Sequence, residues 1–322
     1  MPMPPVPCKN TCLADAELRT LNPEPLTEKT MQRQDFRFFH RLRVRWAEVD
    51  MQKIVFNAHY LMYFDTAISD YWRALGLPYV EAMQQLGGDL YVKKASLEYA
   101  GSAQFDDRLQ LGLRCARIGN SSMTFEGGCF ADARSGAGDT PLVRCELIYV
   151  FADPLTQTSR PVPPLLRRLL TDYEAGASTL QAETGPWTGI GERGMDLRAA
   201  VFAQEQGIAP KLMGDADDAA ARHAIAVNAI GQVVGCGRLV QRGGGVGQIG
   251  RVAVHRALRG SGVGRQLMAA LEACAREAGL REIVLHAQLG ALGFYEAAGY
   301  LPQGDVFEEA GLPHRGLGKT LA

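Results

Sequence analysis

The hydrophobic pattern of residues 59–152 changes from helical to alternating once and then stays alternating. The stretch HYLMYFDTAISDYWRALG carries apolar residues at helical spacing and ends at Gly76, with Pro78 two residues further on. Four strand-like runs separated by turn-forming residues come next: LYVKKASLEYA, DRLQLGLRCARIG, SMTFEGGCFAD and PLVRCELIYVFAD. One helix followed by consecutive strands predicts an antiparallel α+β domain rather than a βαβ fold. An alternating run over residues 36–46 predicts one further strand before the helix.

The second half of the chain has a different order of elements, and no internal repeat relates it to the first half. It predicts a helix (DLRAAVFAQEQG), a hairpin (HAIAVNAIGQVVGCGRLVQ), a strand (QIGRVAVH), a glycine loop, a helix, a strand (REIVLHAQ), a helix (ALGFYEAAG) and a terminal strand region. A proline-rich and then polar stretch separates the halves. We therefore predict a flexible tail at 1–33, one domain at 34–170, a linker at 171–185 and a second domain at 186–322.

Composition narrows the function class. The 322 residues carry a formal net charge of −1, with basic residues spread along the chain, which argues against nucleic-acid binding. No apolar run is long enough to cross a membrane, and no signal peptide is visible at the start. The seven cysteines form no CxxC pair, so neither a disulfide framework nor a metal site is predicted. We expect a reduced, cytoplasmic enzyme without a metal.

The segment RGSGVG, residues 259–264, predicts an anion site. A Walker A loop would need Lys followed by Ser or Thr, where Arg265 and Gln266 stand, and a dinucleotide fingerprint would need a wider glycine spacing. The remaining interpretation is a pyrophosphate loop between a strand and a helix, because free N–H groups at a helix start bind anions and glycine lets the anion approach. On this pattern alone, a plain glycine turn stays open as the alternative.

Residues 196–319 resemble the GNAT superfamily of acetyl-CoA-dependent N-acyltransferases. The matching segments are LRAAVFAQEQG, DADDAAARHAIAV, VVGCGRLV, IGRVAVHRALRGSGVGRQLM, LHAQ, FYEAAGY and GLPHRGLGK. The resemblance implies that the strand holding Val252 and Val254 binds the pantetheine arm of coenzyme A through its backbone, and that Tyr295 protonates the departing thiolate. It also implies that the pyrophosphate is held by the loop residues Arg259, Gly260, Ser261, Gly262, Val263 and Gly264.

A base must also accept a proton from the attacking amine. The candidates in the second half are Glu205, Glu308, His286 and His314, and the sequence does not choose among them.

Residues 36 to about 170 resemble hotdog-fold acyl-CoA thioesterases of the 4-hydroxybenzoyl-CoA thioesterase type. The resemblance rests on Asp50 after the first strand, Asn57 seven positions later, Tyr60 at ten, and the segments YLMYFDTA, LEYAGSAQFDDRLQL and CARIGNSSMTFEGGCF. It implies that Asp50 is the catalytic carboxylate and that the backbone N–H of Asn57, at the helix start, polarises the thioester carbonyl, as a helix N-terminus can. One departure is Lys53, where family members often carry glycine.

The two resemblances together predict a fused enzyme in which an N-terminal hotdog domain hydrolyses acyl-CoA and a C-terminal GNAT domain, a mixed α/β fold, transfers acetyl from acetyl-CoA to an amine. One alternative is a non-catalytic hotdog module that senses acyl-CoA or drives oligomerisation. A hotdog hydratase is disfavoured, because the helix lacks a central histidine and His59 is expected to face solvent. We expect a homo-oligomer formed through the first half, because a single hotdog sheet leaves an unpaired edge.

Overall fold

The first half folds as an antiparallel sheet wrapped around one long helix. The computed structural model describes residues 31–132 and 138–321. The elements are β1 Phe38–Arg43, α1 Asn57–Ala74, α2 Tyr79–Leu86, β2 Asp89–Tyr99, β3 Arg108–Ile118, β4 Ser122–Ala131, β5 Val143–Ala152 and α3 Pro164–Glu174. The strand order is β1-β3-β4-β5-β2, and every pair is antiparallel. The predicted hotdog architecture is confirmed.

Helix α1 packs closely against the sheet along one face. Its buried residues, at helical spacing, are Tyr60, Tyr63, Phe64, Ala67, Ile68, Tyr71 and Trp72. The contact is tight at Gly127 of β4, where a Cβ atom would lie 2.6 Å from the ring of Phe64. The same packing places the first residue of the helix, Asn57, at the sheet edge near β2, where the Tyr99 hydroxyl donates to the Asn57 carbonyl at 3.1 Å.

The second half is a seven-stranded sheet with its helices placed between strands. Its elements are β6 Leu180–Gly185, α4 Met195–Arg198, β7 Arg222–Asn228, β8 Val233–Gly243, β9 Val246–Val254, α5 Val263–Glu277, β10 Glu282–Gln288, α6 Leu292–Ala297, β11 Leu301–Glu309 and β12 Leu312–Thr320. The order is β11-β12-β10-β9-β8-β7-β6, and among these strands β9 and β10 form the parallel pair. Helix α5 buries Leu267 and Leu271 against the sheet. The predicted mixed α/β fold is confirmed.

Two local predictions were wrong. The stretch 171–185, expected to be a linker, holds the end of α3 and strand β6, which pairs with β7 as an edge of the second sheet. The first strand ends at Arg43, and Trp46 lies 78% exposed in a short 3-10 helix, so the alternation over 36–46 continues beyond the strand itself. Most of the predicted tail lies outside the described residues, but Arg33 is anchored by hydrogen bonds to Gln110 and to the Ala131 carbonyl.

The two halves contact each other directly. Ile230, on the turn between β7 and β8, packs among the buried apolar residues of the first half. Its carbonyl accepts a hydrogen bond from Gln85 Nε2 at 2.8 Å, and Asn228 Nδ2 donates to the Gly76 carbonyl at 2.9 Å. Because these polar contacts are buried or half-buried and span the halves, residues 32–322 form one compact unit.

Candidate active sites

The glycine loop presents unpaired backbone donors at the start of α5. Gly260 and Gly262 adopt φ of +83° and +98°, and Gly262 caps the helix. Gln266 is the first residue whose N–H joins the helical ladder, to Gly262 O at 3.1 Å. The Ser261 N–H donates to the Leu258 carbonyl at 3.2 Å, so the amides of residues 262–265 are the ones without an acceptor in the described chain. Gly264 has another role: a Cβ there would lie 3.0 Å from the Phe294 ring, so this glycine lets α5 and α6 pack closely. The loop therefore combines free donors with the positive end of a helix dipole.

Strands β9 and β10 separate next to this loop and open a cavity. They pair only between 246–249 and 282–285, although both continue further. The separation coincides with a bulge in β9, where Arg251 is the extra residue and takes a φ of +54°. Beyond the last pair lies a cavity of about 500 Å³. Its lining includes the predicted residues Val252, Val254, Arg259 and Tyr295, together with His286 and His314.

The loop itself lies partly outside this cavity. Gly260 and Ser261 line a neighbouring groove of about 1280 Å³ between the halves, and Arg259 borders both spaces. Arg259 donates to Glu205 at 2.6 Å and to the Val254 carbonyl at 3.3 Å. Glu205, one of the four candidate bases, is therefore held in an ion pair, and the Val254 carbonyl already has a donor.

Tyr295 lies at the inner end of the cavity on α6. The residue is 9% exposed, and burial raises the pKa of its hydroxyl to about 12. Within the described part of the chain, no side chain or backbone group hydrogen-bonds to this hydroxyl. A buried, protonated phenol that faces a cavity has the properties of a proton donor.

Two histidines on neighbouring strands are the base candidates that reach the cavity. His286 Nδ1 lies 2.7 Å from a Glu309 carboxylate oxygen, which leaves Nε2 able to accept a proton. His314 is buried, with Nδ1 2.8 Å from the Leu312 carbonyl, and its ring stacks on Phe307. Glu308 does not line the cavity. Of the four candidates, His286 and His314 are the ones that line the cavity, and Glu309, which contacts His286, had no signal in the sequence.

A charged cluster that the sequence did not predict also borders the cavity. Asp215 accepts from Arg238 at 2.5 and 2.6 Å and from Arg251 at 2.8 Å. The hydrogen bonds from Arg238 hold the pKa of Asp215 at about 2. Behind them, Asp218 bonds both Arg238 and the fully buried Arg198.

In the first half, a short hairpin positions Asp50 and Asn57. The Asp50 N–H donates to the Ile54 carbonyl at 2.9 Å, and Phe56 N–H donates to the Glu48 carbonyl at 2.9 Å. The Asp50 carboxylate accepts from the Gln52 N–H at 2.7 Å. Lys53 takes a φ of +64°, the left-handed conformation that glycine adopts at low cost, so the turn forms despite the substitution. The Asn57 N–H, in the first turn of α1, has no acceptor among the described residues.

Two neighbours of this turn had not been expected. Glu48 is buried, and although burial opposes ionisation, hydrogen bonds from Arg45 and Tyr63 hold the pKa of its carboxyl below the usual value. His59 is half-buried rather than solvent-facing, and its Nδ1 has no hydrogen-bond partner in the described chain. Tyr60, by contrast, is buried as core, and its hydroxyl accepts from the Ala103 N–H at 2.8 Å.

The surface around Asp50 and the β2 edge is strongly apolar. Its exposed members are Trp46, Met51, Phe56, Val92, Tyr99 and Phe105, which we call the apolar rim. Large exposed apolar side chains of this kind favour a role in interaction when they lie together on a surface. Among the described strands, none pairs with the outer side of β2.

Neither a metal cluster nor a membrane helix is found in these parts of the chain. Across residues 31–132 and 138–321, no group of three or more His, Cys, Asp or Glu side chains could hold a metal ion. In the same residues, no helix is long and apolar enough to span a bilayer.

Comparison with known proteins assigns both halves. The model of the GNAT acetyltransferase domain matches residues 220–321, and that of the thioesterase superfamily matches residues 52–134. A putative acetyltransferase of Bacillus subtilis (strain 168) is 32% identical over 127 residues, covering 37% of this chain and 82% of that protein. A putative esterase of Aquifex aeolicus (strain VF5) is 31% identical over 88 residues, covering 27% of this chain and 68% of that protein.

Protein ElaA of Escherichia coli (strain K12) is 42% identical over 74 residues, which is 23% of this chain and 48% of ElaA, so the match spans about half of that relative. The crystal structure of Escherichia coli ElaA is 31% identical, covers 44% of this chain and 99% of that chain, and superposes with a TM-score of 0.40. The chain therefore belongs to the GNAT acetyltransferases through its second half and to the thioesterase superfamily through its first.

Proposed function

We propose that the second half transfers an acetyl group from acetyl-CoA to an amine. The observation that carries this proposal is the cavity where β9 and β10 separate, which a buried tyrosine lines and which Arg259 joins to the groove along the glycine loop. A pantetheine arm extended along β9 can bond the backbone that β10 no longer pairs. The phosphates would bind the amides before Gln266, where the helix dipole is positive.

The chemistry follows from the groups around the cavity. His286 takes a proton from the ammonium through Nε2, while Glu309 stabilises the resulting imidazolium. The neutral amine attacks the thioester carbonyl and forms the C–N bond, the C–S bond then breaks, and the nitrogen of the new amide releases its surplus proton to solvent. Tyr295 gives its proton to the departing thiolate and recovers one from His286 through solvent, so the products are the amide and free coenzyme A. Burial suits Tyr295 to this role because its hydroxyl stays protonated at neutral pH.

We infer that the first half hydrolyses an acyl-CoA thioester. In this proposal, the free N–H of Asn57 polarises the carbonyl, and Asp50 acts as base or nucleophile. The hairpin between Glu48 and Phe56 supports it, because the turn keeps its shape with Lys53 in the glycine position. The alternative, a non-catalytic acyl-CoA-binding or oligomerisation module, predicts binding without turnover.

The apolar rim supports assembly of two copies through the β2 edge. An unpaired edge strand beside exposed aromatic and aliphatic side chains favours pairing with a second sheet. Such pairing would bury the rim beside Asp50 and complete an acyl pocket that one copy leaves open. We therefore propose a homodimer.

We place the division between the two domains at about residue 176, between α3 and β6.

A coenzyme A release assay with the full chain tests both activities. A panel of acyl-CoA thioesters is incubated with and without candidate amines, and acetyl-CoA binding is measured separately by isothermal titration. Release without amine reports hydrolysis, and additional release with amine reports transfer. Absence of acetyl-CoA binding would contradict the acetyltransferase proposal, whereas acyl-CoA binding without any hydrolysis would favour the binding-module alternative.

A further inference from the structure

The charged cluster beside the cavity has one positive charge too many. Its basic members are Arg198, Arg238 and Arg251, and its acidic members are Asp215 and Asp218. The remaining polar member, His223, is buried between Arg198 and the Asp218 carbonyl, and burial, opposed by its bond to that carbonyl, lowers the pKa of its imidazole, so it adds no charge at neutral pH. Three cations therefore face two anions: Arg198, Arg238 and Asp218 are buried, and Arg251 and Asp215 are partly exposed at the cavity.

An uncompensated buried charge is costly, so this excess calls for a further anion. Arg198 is 1% exposed and does not line the cavity, and Arg238 uses both its terminal nitrogens on the two aspartates. Arg251 is the member with capacity left. Its Nη2 bonds Asp215, its Nε has no partner among the described residues, and 27% of its side chain is exposed.

The backbone holds Arg251 in this position at a cost. Arg251 is the extra residue of the β9 bulge and takes a φ of +54°. A residue other than glycine keeps this backbone conformation only when the surrounding structure enforces it. Burial and the neighbouring Arg238 lower the pKa of its guanidinium, as expected for a cation that lacks a full counter-charge. The bulge directs Arg251 to the cavity that Tyr295 and His286 also line.

We propose that Arg251 binds a carboxylate of the acyl acceptor, so that the acetylated amine belongs to an amino acid or to a short peptide with a free carboxyl end. One excess positive charge matches the single negative charge of a carboxylate. Asp215, Asp217 and Glu309 also line the cavity and would repel a dianionic phosphate. The cavity of about 500 Å³ must in addition accept the end of the pantetheine arm, which leaves room only for a small acceptor. This inference rests on the acetyl transfer proposed above.

The test compares matched acceptors with the full-length protein and acetyl-CoA. The panel contains the L-amino acids, their carboxamides, and dipeptides with free or amidated ends. We expect the free acid of the best acceptor to exceed its carboxamide at least about tenfold in kcat/KM, since a charge-assisted hydrogen bond is lost. Arg251→Gln should remove that preference by raising KM for the acid, with little effect on the carboxamide, and Arg251→Lys should restore part of it.

A neighbouring arginine provides the control. Arg242 borders the same cavity but is already paired with Asp217 at 2.6 Å, so Arg242→Gln should keep the preference for acids. Equal turnover of acids and carboxamides, equal loss of both in Arg251→Gln, or no transfer to any acceptor by protein that binds acetyl-CoA would overturn the carboxylate site. Failure of the unchanged protein to bind acetyl-CoA would instead overturn the acetyl transfer on which it rests.

Discussion

The two candidate sites differ in how much of each one chain supplies. The cavity of the second half is walled by β9, β10, α6 and the segment before β7, and its tyrosine is buried. The site of the first half lies at a sheet edge, where Met51 is fully exposed next to Asp50. In an enclosed site, burial by the chain itself can shift the pKa of a catalytic group. In an open site, a second surface must first cover the groups before burial can act on them. We therefore expect hydrolysis to depend on self-association and transfer to be independent of it.

The largest expected effect separates the two chemistries. Asp50→Asn keeps the shape of the turn, and its amide oxygen can still accept from the Gln52 N–H, but the carboxylate is lost. Thioester hydrolysis should fall at least about a hundredfold, the low end for a positioned proton-transfer group, while acyl-CoA binding and acetyl transfer change little. Steady-state kinetics of both reactions measure this. Full retention of hydrolysis would leave Asp50 as an ordinary turn residue.

Tyr295→Phe is the matching change in the enclosed site. We expect acetyl transfer to fall by up to about a hundredfold with acetyl-CoA binding unchanged, and hydrolysis by the first half to be unaffected. Because burial raises the pKa of the hydroxyl to about 12, the protonated donor persists well above neutral pH. The unchanged enzyme should therefore show no loss of transfer from this group between pH 8 and 10. A variant that transfers at the normal rate would exclude Tyr295 as the acid.

A charge on the β2 edge tests the dependence on assembly. Val92 is 54% exposed on β2, and Val92→Glu would bring like charges together when two edges pair. Light scattering at micromolar concentration should show a dimer for the unchanged protein and a monomer for the variant. Hydrolysis should drop about tenfold or more with loss of the covered site, and transfer should remain. The control is Val80→Glu, which adds the same charge at an exposed position on α2 rather than on the strand edge and should leave the dimer intact. A monomeric unchanged protein would contradict the expected dependence of hydrolysis on self-association.

Gly262→Val probes the anion loop with a smaller effect. Gly262 has φ of +98° at the start of α5, which a β-branched residue adopts only with strain. Acetyl-CoA should bind about tenfold more weakly in isothermal titration, since roughly 1–2 kcal/mol of strain distorts the amide donors. Gly279→Val, also at positive φ but at the far end of the helix, tests whether strain alone explains the loss. Equal weakening in both variants would argue against phosphate binding at Gly262.

The smallest expected effect concerns stability in acid. The hydrogen bonds from Arg238 hold the pKa of Asp215 at about 2, below its ordinary value of 3.8. A depressed folded-state pKa contributes stability above the ordinary value, and this is lost as pH falls from about 4 to about 2. Because solvent screens this partly exposed carboxylate, we expect the free energy of unfolding to change by on the order of 1 kcal/mol. Urea unfolding from pH 5 to 2 should show a shallower decline in Asp215→Asn; parallel curves would contradict the assignment.

The sequence by itself determined the local features of both halves. One change of hydrophobic period predicted a helix and an antiparallel sheet, since a side-chain period is a property of neighbouring residues. The glycines at 260 and 262 predicted a glycine loop before a helix for the same reason, and both adopt a positive φ. Strand β6 left only a weak signal: in LQAETG the alternation covers just the first four residues, and the strand is held by backbone pairing at a sheet edge.

Only the tertiary structure decided what faces the cavity. Asp215, Arg238 and Arg251 line it from three separate segments, and the pairing of β8 with β9 brings the two arginines close enough to bond the same aspartate. The opening coincides with a one-residue bulge in β9, which reverses which side chains point to each face and has no pattern in the sequence. Likewise, His286 and His314 line the cavity and Glu205 and Glu308 do not, which follows from packing between distant segments. Long-range contacts of this kind depend on packing, and local composition does not encode them.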